Sequence, residues 1–416
     1  MSNTLKNAPL ASGAFFFKET QMTKKYEGTI RACFIGYIAQ AIVNNFAPLL
    51  FVRFGTEYKI PLSDITMLIT INFLIQLMMD FASAFFIDRI GYKASVLIAH
   101  GFCAAGLIGL AVLPGVFESA YIGILLAVIM YAVGGGLLEV VISPMVEACP
   151  SEHKDKTMSM LHSFYCWGTV IVIAFSTLFF YFFGIENWKT LSLLWAMLPV
   201  INGIAFIFLP VVSLADGEDK GLSLRELLKT KTFWLFALII CCAGASEQAI
   251  SQWASAFTEQ ALGISKTVSD LFGPMLFAIL MGVSRTIYGK FGERFSLNKI
   301  MIVSGFLCSA SYIIISVSSS PILSLLGMAV CGFAVGILWP GTYSKAAHKI
   351  KGGGTTMFAF LALAGDVGCT GGPTFAGKIA SLAGDNLKTG LSASVVFPAV
   401  LTVALLCAAA SKNKKA

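Results

Sequence analysis

Long apolar runs alternate with short polar, charge-bearing turns along the whole chain. A helix needs about 20 mostly apolar residues to cross hydrocarbon. Twelve stretches approach or exceed that length: 30–54, 64–88, 94–114, 119–148, 156–183, 189–212, 232–260, 267–289, 298–317, 322–346, 355–382 and 389–411. The pattern predicts an all-α membrane protein with twelve transmembrane helices. An even number places both termini on one side. The longest interruption, 213–231, carries the run Asp216-Gly-Glu-Asp-Lys220. It divides the chain into an N-terminal six-helix bundle, 1–212, and a C-terminal one, 232–416. Ser223 and Glu226 have the spacing of a capping box opening a short interfacial helix within that loop.

Composition agrees with this pattern. The chain of 416 residues is 57% hydrophobic and 12% charged, against about 25% charge in soluble domains. Its net charge of +7 is spread over loops, so it does not form a basic face for nucleic acid. The N-terminal segment to Arg31, the even-numbered loops with the span ends that adjoin them, and the C-terminal tail hold 23 of the 29 Lys and Arg. Short loops rich in Lys and Arg stay cytoplasmic, so both termini are expected inside a cell membrane. The patch Ala14–Phe17 is too short for a signal peptide. The ten cysteines are scattered, without Cys-x-x-Cys or Cys/His spacing, so neither a disulfide framework nor a metal is indicated. A phosphate loop of the Gly-x-x-x-x-Gly-Lys-Ser/Thr type is absent, and no loop is long enough for a catalytic domain. The expectation is a monomer that is not an enzyme and has no cofactor.

The two halves resemble each other. Asp88-Arg89-x-Gly91-x-Lys93 follows span 2, and Arg285-x-x-x-x-Lys290-x-Gly292 recurs after span 8 at an offset near 201 residues. Ala132-Val-Gly134 in span 4 returns as Ala334-Val-Gly336 in span 10, offset by 202. A parallel repeat of this kind is the large-scale pattern of one transporter class. Twelve spans, a central loop and Asp88-Arg89-x-Gly91-x-Lys93 resemble the major facilitator superfamily, with Ala84 and Tyr92 departing from its loop signature. By resemblance, Asp88, Arg89, Gly91 and Lys93 form the cytoplasmic gate loop. A narrower likeness is to the fucose permease-like sugar:proton symporters. It rests on Gly136-x-x-Glu139, Leu161-His162-x-Phe-Tyr165-x-x-Gly168, Glu247-x-x-x-x-x-Trp253 and Gly365-Asp366-x-Gly368 followed by Pro373. In that family a carboxylate in span 1 and one in span 4 are associated with proton handling. Glu139 looks like the second, and Asn44-Asn45 stand where the first is expected.

Within the spans, polar residues are the candidates for chemistry. A charge at the depth of Glu139 costs roughly 2.5–3.5 kcal/mol on insertion scales, so it marks a functional site by default. A carboxyl there can bind a proton on one side and release it on the other; the alternative is a structural acid. His162 and Asp366 are the further proton-coupling candidates. Gln248 and Gln252 share a helical face, with Glu247 and Trp253 beside them. Amides and a carboxylate grip hydroxyls, while an indole covers the apolar face of a sugar; the alternative is a polar stripe between helices. Asn44, Asn45, Gln76 and Tyr165 complete the substrate candidates. Asp80 is expected near the cytoplasmic end, in a gate or packing role. Apart from Lys378, near enough to a span end to snorkel, this reading leaves the spans almost without cations, which favours a neutral substrate.

These features together predict a secondary transporter of a small neutral solute, a sugar or polyol, working by proton symport and alternating access. The partners expected are that solute, a proton or other cation, and the lipid bilayer. A proton-coupled exporter of amphipathic drugs or metabolites, or an organic-acid carrier, remains open on the same fold.

Overall fold

A computed structural model describes residues 10–149, 154–211, 222, 224–291, 296–351 and 354–410. Within these, the described side chains exclude 10–24, 83–86, 88, 89, 147, 154–160, 162, 224, 289–291, 354–356, 358 and 359. Among the described residues, eleven helical segments are long and apolar enough to cross a membrane. They are span 1 (Lys25–Glu57), span 2 (Leu62–Ala82), span 3 (Tyr92–Gly115), span 4 (Ala120–Val146), span 5 (Ser163–Phe183), span 6 (Ile185–Phe208), span 7 (Lys231–Gln260), span 8 (Lys266–Tyr288), span 9 (Leu297–Val317), span 10 (Pro321–Lys349) and span 12 (Leu387–Ala410). Span 11, the helix Gly354–Leu382, completes the twelve. Its glycines, Asp366 and Lys378 make it less apolar than the rest, although its length suffices. The described residues contain no strand. All-helical folding is what a hydrocarbon solvent demands, because each backbone N–H and C=O must be satisfied within its own segment.

The packing repeats between halves. Span 1 lies against span 5, span 2 against span 4, and span 3 against spans 4 and 6. In the second half span 7 lies against span 11, span 8 against span 10, and span 9 against spans 10 and 12. The inter-half contacts follow the same symmetry: span 2 meets span 11, and span 5 meets span 8. Two pseudo-symmetric six-helix bundles result. The central segment expected at 213–231 lies mostly outside the described residues, apart from the short helix Leu224–Lys229; Ser223 of the expected capping box lies outside them too.

The halves are drawn together at the end away from the termini. The Thr70 and Thr374 hydroxyls hydrogen-bond at 2.7 Å. Thr177 of span 5 donates to Asp270 of span 8 at 3.4 Å. The Phe51 and Trp253 rings pack 5.6 Å apart. Asp270 is fully buried, and Lys266 and Ser255 each donate to it at 2.5 Å.

Spans 7 and 11 approach closely because glycines line their seam. Gly368 and Gly372 are one turn apart, and a Cβ on either would run into the backbone of Cys241 or Ala245. Small residues at i and i+4 let two helices meet backbone to backbone where lipid offers no hydrophobic drive for association. Gly372→Val is therefore expected to destabilise the protein by roughly 1–3 kcal/mol through overpacking. The readout is a lower melting temperature of detergent-solubilised protein. Gly371→Ala, at a position where an added Cβ meets nothing within 4 Å, should not lower it. Equal losses for both variants would refute the seam.

Candidate substrate and proton site

The site begins with a break in span 1. Pro48 carries no N–H, so the carbonyl of Asn44, four residues earlier, loses its helical partner. The helix Leu10–Asn45 ends there, a 3-10 turn covers Ala47–Leu50, and the helix resumes over Phe51–Glu57. Gln252 of span 7 supplies the missing donor, its Nε2 reaching the Asn44 carbonyl at 3.3 Å. Gln252 Nε2 also donates to Gln248 Oε1 at 3.2 Å, and Gln248 Nε2 to Glu247 Oε1 at 3.4 Å. On the side chain of Asn44, Oδ1 accepts from Gln76 Nε2 at 2.7 Å and from Asn72 Nδ2 at 3.4 Å. Its Nδ2 donates to the Tyr165 hydroxyl at 3.4 Å. Six amide and phenol side chains from spans 1, 2, 5 and 7 thus form one network across both halves.

Span 10 repeats the device. Pro340 removes the donor for the Gly336 carbonyl, and the helix is interrupted between Val335 and Leu338. Arg285 of span 8 donates from Nε to that carbonyl at 3.3 Å and from Nη1 to Cys166 Sγ, in span 5, at 3.0 Å. Its Nη2 lies 3.7 Å from Glu247 Oε2, with side-chain exposures of 22% and 11%. This corrects the sequence reading, which grouped Arg285 with the loop motif after span 8, although the bounds 267–289 include it, and so left the spans almost without cations. The guanidinium sits inside the helix Leu276–Phe291, beside the amide network. The Glu247–Arg285 pair is formally neutral, so the region as a whole carries no net positive charge.

A carboxyl cluster lies on the side nearer the termini. Gln40 of span 1 donates from Nε2 to Glu139 Oε2 at 2.7 Å. Asp366 of span 11 interacts electrostatically with Glu139 and with Asp80 of span 2. Tyr343 of span 10 lies near enough to interact electrostatically with all three acids. Glu139, Asp80 and Asp366 are each only partly buried. Asp80 therefore belongs to a cross-half acid cluster, where the sequence suggested a gate or packing position near the helix end. Among the described residues, no three His, Cys, Asp or Glu side chains are arranged to hold a metal ion.

The remaining candidates divide. Asn44, Gln76, Tyr165, Glu247, Gln248 and Gln252 converge on the network, and Glu139 and Asp366 on the acid cluster. Asn45 points elsewhere: its Nδ2 donates to the Ala41 carbonyl at 2.9 Å and to Thr169 Oγ1 at 3.3 Å, tying span 1 to span 5. Trp253 is fully buried, and its Nε1 donates to the Pro373 carbonyl at 2.9 Å, so it cannot cover a sugar ring in this state. The calls on His162, Asp88 and Arg89 fall on side chains outside the described residues. Gly91 takes φ +83°, a left-handed turn that L side chains rarely adopt. Lys93 donates to the Ile207 and Leu209 carbonyls at 2.8 and 3.3 Å, capping the end of span 6. Sequence reasoning missed Tyr343 and Arg285 as members. The positions of Pro48 and Pro340 four residues after Asn44 and Gly336 were the available signal.

The Arg285 contacts give a test. Arg285→Gln leaves Glu247 without its cation and is expected to cost roughly 1–2 kcal/mol, less than a fully buried pair because both partners keep some exposure. Adding Glu247→Gln should recover part of that loss in a double-mutant cycle of melting temperatures. Strict additivity would show that the 3.7 Å pair contributes nothing.

Comparison with known proteins agrees with this fold. No curated protein matches the chain. Among solved structures, the E. coli fucose:proton symporter is 14% identical, with a TM-score of 0.62 over 92% of this chain and 98% of that one. The D-xylose-proton symporter is 11% identical, with a TM-score of 0.74 over 92% and 97%. A bacterial homolog of the human lysosomal transporter Spinster, in an inward-facing and occupied conformation, is 13% identical, with a TM-score of 0.72 over 92% and 97%. The family model of the Major Facilitator Superfamily matches residues 32–373, and the chain belongs to this superfamily of membrane transporters.

Proposed function

We propose that this transporter moves a small neutral polyhydroxylated solute, a sugar or polyol, in symport with protons. The observation that carries the reading is the continuous amide and phenol network from Asn72 and Gln76 through Asn44 to Gln252 and Gln248, adjoining Glu139 and Asp366. Amide side chains both donate and accept, as hydroxyl groups do. Their number here, against one cation paired with one acid, suits an uncharged ligand. The network draws on both halves, so rocking of the halves about it would expose it to one side and then the other. Closure at the end away from the termini leaves the site facing the terminal side. The distribution of Lys and Arg makes that side the cytoplasm of a cell membrane. Glu139, held by Gln40 one turn from Asn44, is the proposed proton carrier, and Asp366 a second.

Arg285 favours a second reading, an organic-acid carrier, because a guanidinium fork suits a carboxylate. A thermal-shift panel of purified protein against sugars, sugar acids and organic acids separates the two. The first reading expects stabilisation by neutral sugars or polyols. Stabilisation by acids alone would favour the second.

For coupling, uptake of a stabilising sugar into proteoliposomes should rise when the outside is acidified and collapse with a protonophore. Glu139→Gln should abolish gradient-driven accumulation while sparing sugar exchange at zero gradient. Undiminished accumulation by Glu139→Gln would remove the coupling role.

A further inference from the structure

A cavity of about 10 Å³ lies where spans 1, 2 and 4 meet span 7. That is room for about one water molecule. Its polar walls are Asn44, Asn72, Tyr131 and Gln252, and Pro48 and Phe51 close it on the side away from the termini. All six residues are buried. Asn72 is 5% exposed, and its Oδ1 has no hydrogen-bond partner among the described residues. Its Nδ2 makes only the 3.4 Å contact to Asn44. Tyr131, 3% exposed, lines the same cavity from span 4.

A buried acceptor without a donor is costly and is rarely left so in a native protein. The neighbouring amides are already engaged. Gln76 donates to Asn44, and Gln252 donates to the Asn44 carbonyl and to Gln248. What is missing is a small group that gives one proton to Asn72 Oδ1 and accepts one from Tyr131 or an amide. Water and an alcohol hydroxyl both do this, whereas a cation does not accept and a carboxylate does not donate.

We propose that Asn72 and Tyr131 form the innermost hydroxyl subsite of the carrier, held by one water in the empty state and by one hydroxyl of the solute in the loaded state. The hydroxyl assignment rests on the sugar or polyol reading above; the water assignment does not. The subsite lies against the closed end, so a solute would insert one hydroxyl end-on while the rest of it lies along the amide network. Both halves line the cavity, Gln252 from the second and the others from the first, so filling it links ligand occupancy to closure at that end. Selectivity follows as well. A site built to pair a hydroxyl discriminates strongly against an analogue lacking it, because its own polar groups are then left unpaired.

Two measurements on the full-length protein decide this. In a structure near 2 Å resolution without added solute, one ordered water is expected within hydrogen-bonding distance of Asn72 Oδ1. A dry cavity overturns the proposal whatever the substrate. In thermal-shift titrations with D-xylose, L-fucose, D-glucose and D-mannitol, any probe that stabilises the unmodified protein should bind Asn72→Leu roughly tenfold or more weakly. Asn72→Asp, which keeps an acceptor oxygen, should retain binding better than Asn72→Leu. Equal affinity of Asn72→Leu and the unmodified protein for such a probe overturns the hydroxyl subsite. If none of the four stabilises the unmodified protein, the sugar reading fails and the water alone decides. If Asn72→Leu does not fold, the water and the Asn72→Asp titration stand in for it, and loss of the probe's binding in Asn72→Asp then counts against the subsite.

Discussion

Two prolines and the carbonyls they strip of donors organise the centre of this transporter. In hydrocarbon a backbone carbonyl without a partner costs several kcal/mol, and water is the usual remedy only where a cavity admits it. Here side chains from other helices take the role. Gln252 crosses from the second half to the Asn44 carbonyl left open by Pro48. Arg285 reaches the Gly336 carbonyl left open by Pro340. Each donor then continues into further contacts, Gln252 into the amide chain and Arg285 into Cys166 and Glu247. The requirement to satisfy two backbone groups thereby places an amide and a guanidinium at the seam between the halves.

That placement also concerns movement. Gln252 to Asn44 and Arg285 to Cys166 both bridge the two halves, and both are long or soft contacts, at 3.3 Å and to a thiol sulfur. Bonds of this quality contribute modestly to stability and are cheaply exchanged. The tighter packing lies inside each bundle, as in the glycine-lined seam of spans 7 and 11. Bundles packed in this way, with exchangeable polar contacts of this kind among those that join them, are suited to a protein in which one half rocks against the other.

The acid cluster shows the same division between halves. Glu139 and Asp80 belong to the first, and Asp366 to the second. Gln40, rather than the neighbouring pair Asn44-Asn45, faces Glu139. The span 1 position that resemblance assigns to a carboxylate is thus served by an amide one turn away. An amide can donate to a charged carboxylate or accept from a protonated one, so Gln40 is compatible with either state of Glu139.

The sequence alone determined the solvent of this protein and its architecture. Apolar runs of spanning length, few charges and a repeat offset near 201 residues leave little but two bundles of membrane helices, because lipid permits so few backbone arrangements. It also marked Glu139 and the Gln248–Gln252 face, since a polar side chain in an apolar run stands out whatever its neighbours. It could not say which polar residues meet. Asn45 and Asn44 are adjacent in the chain, yet one binds Thr169 and the other anchors the network, because successive helical positions differ by about 100°. Trp253 and Gln252 divide in the same way between core and site. Arg285 and Asp80 looked like residues at helix ends until packing brought Glu247 and Asp366 to them from other spans. Contacts between helices hundreds of residues apart depend on rotation and tilt, and those are set only when the helices pack together.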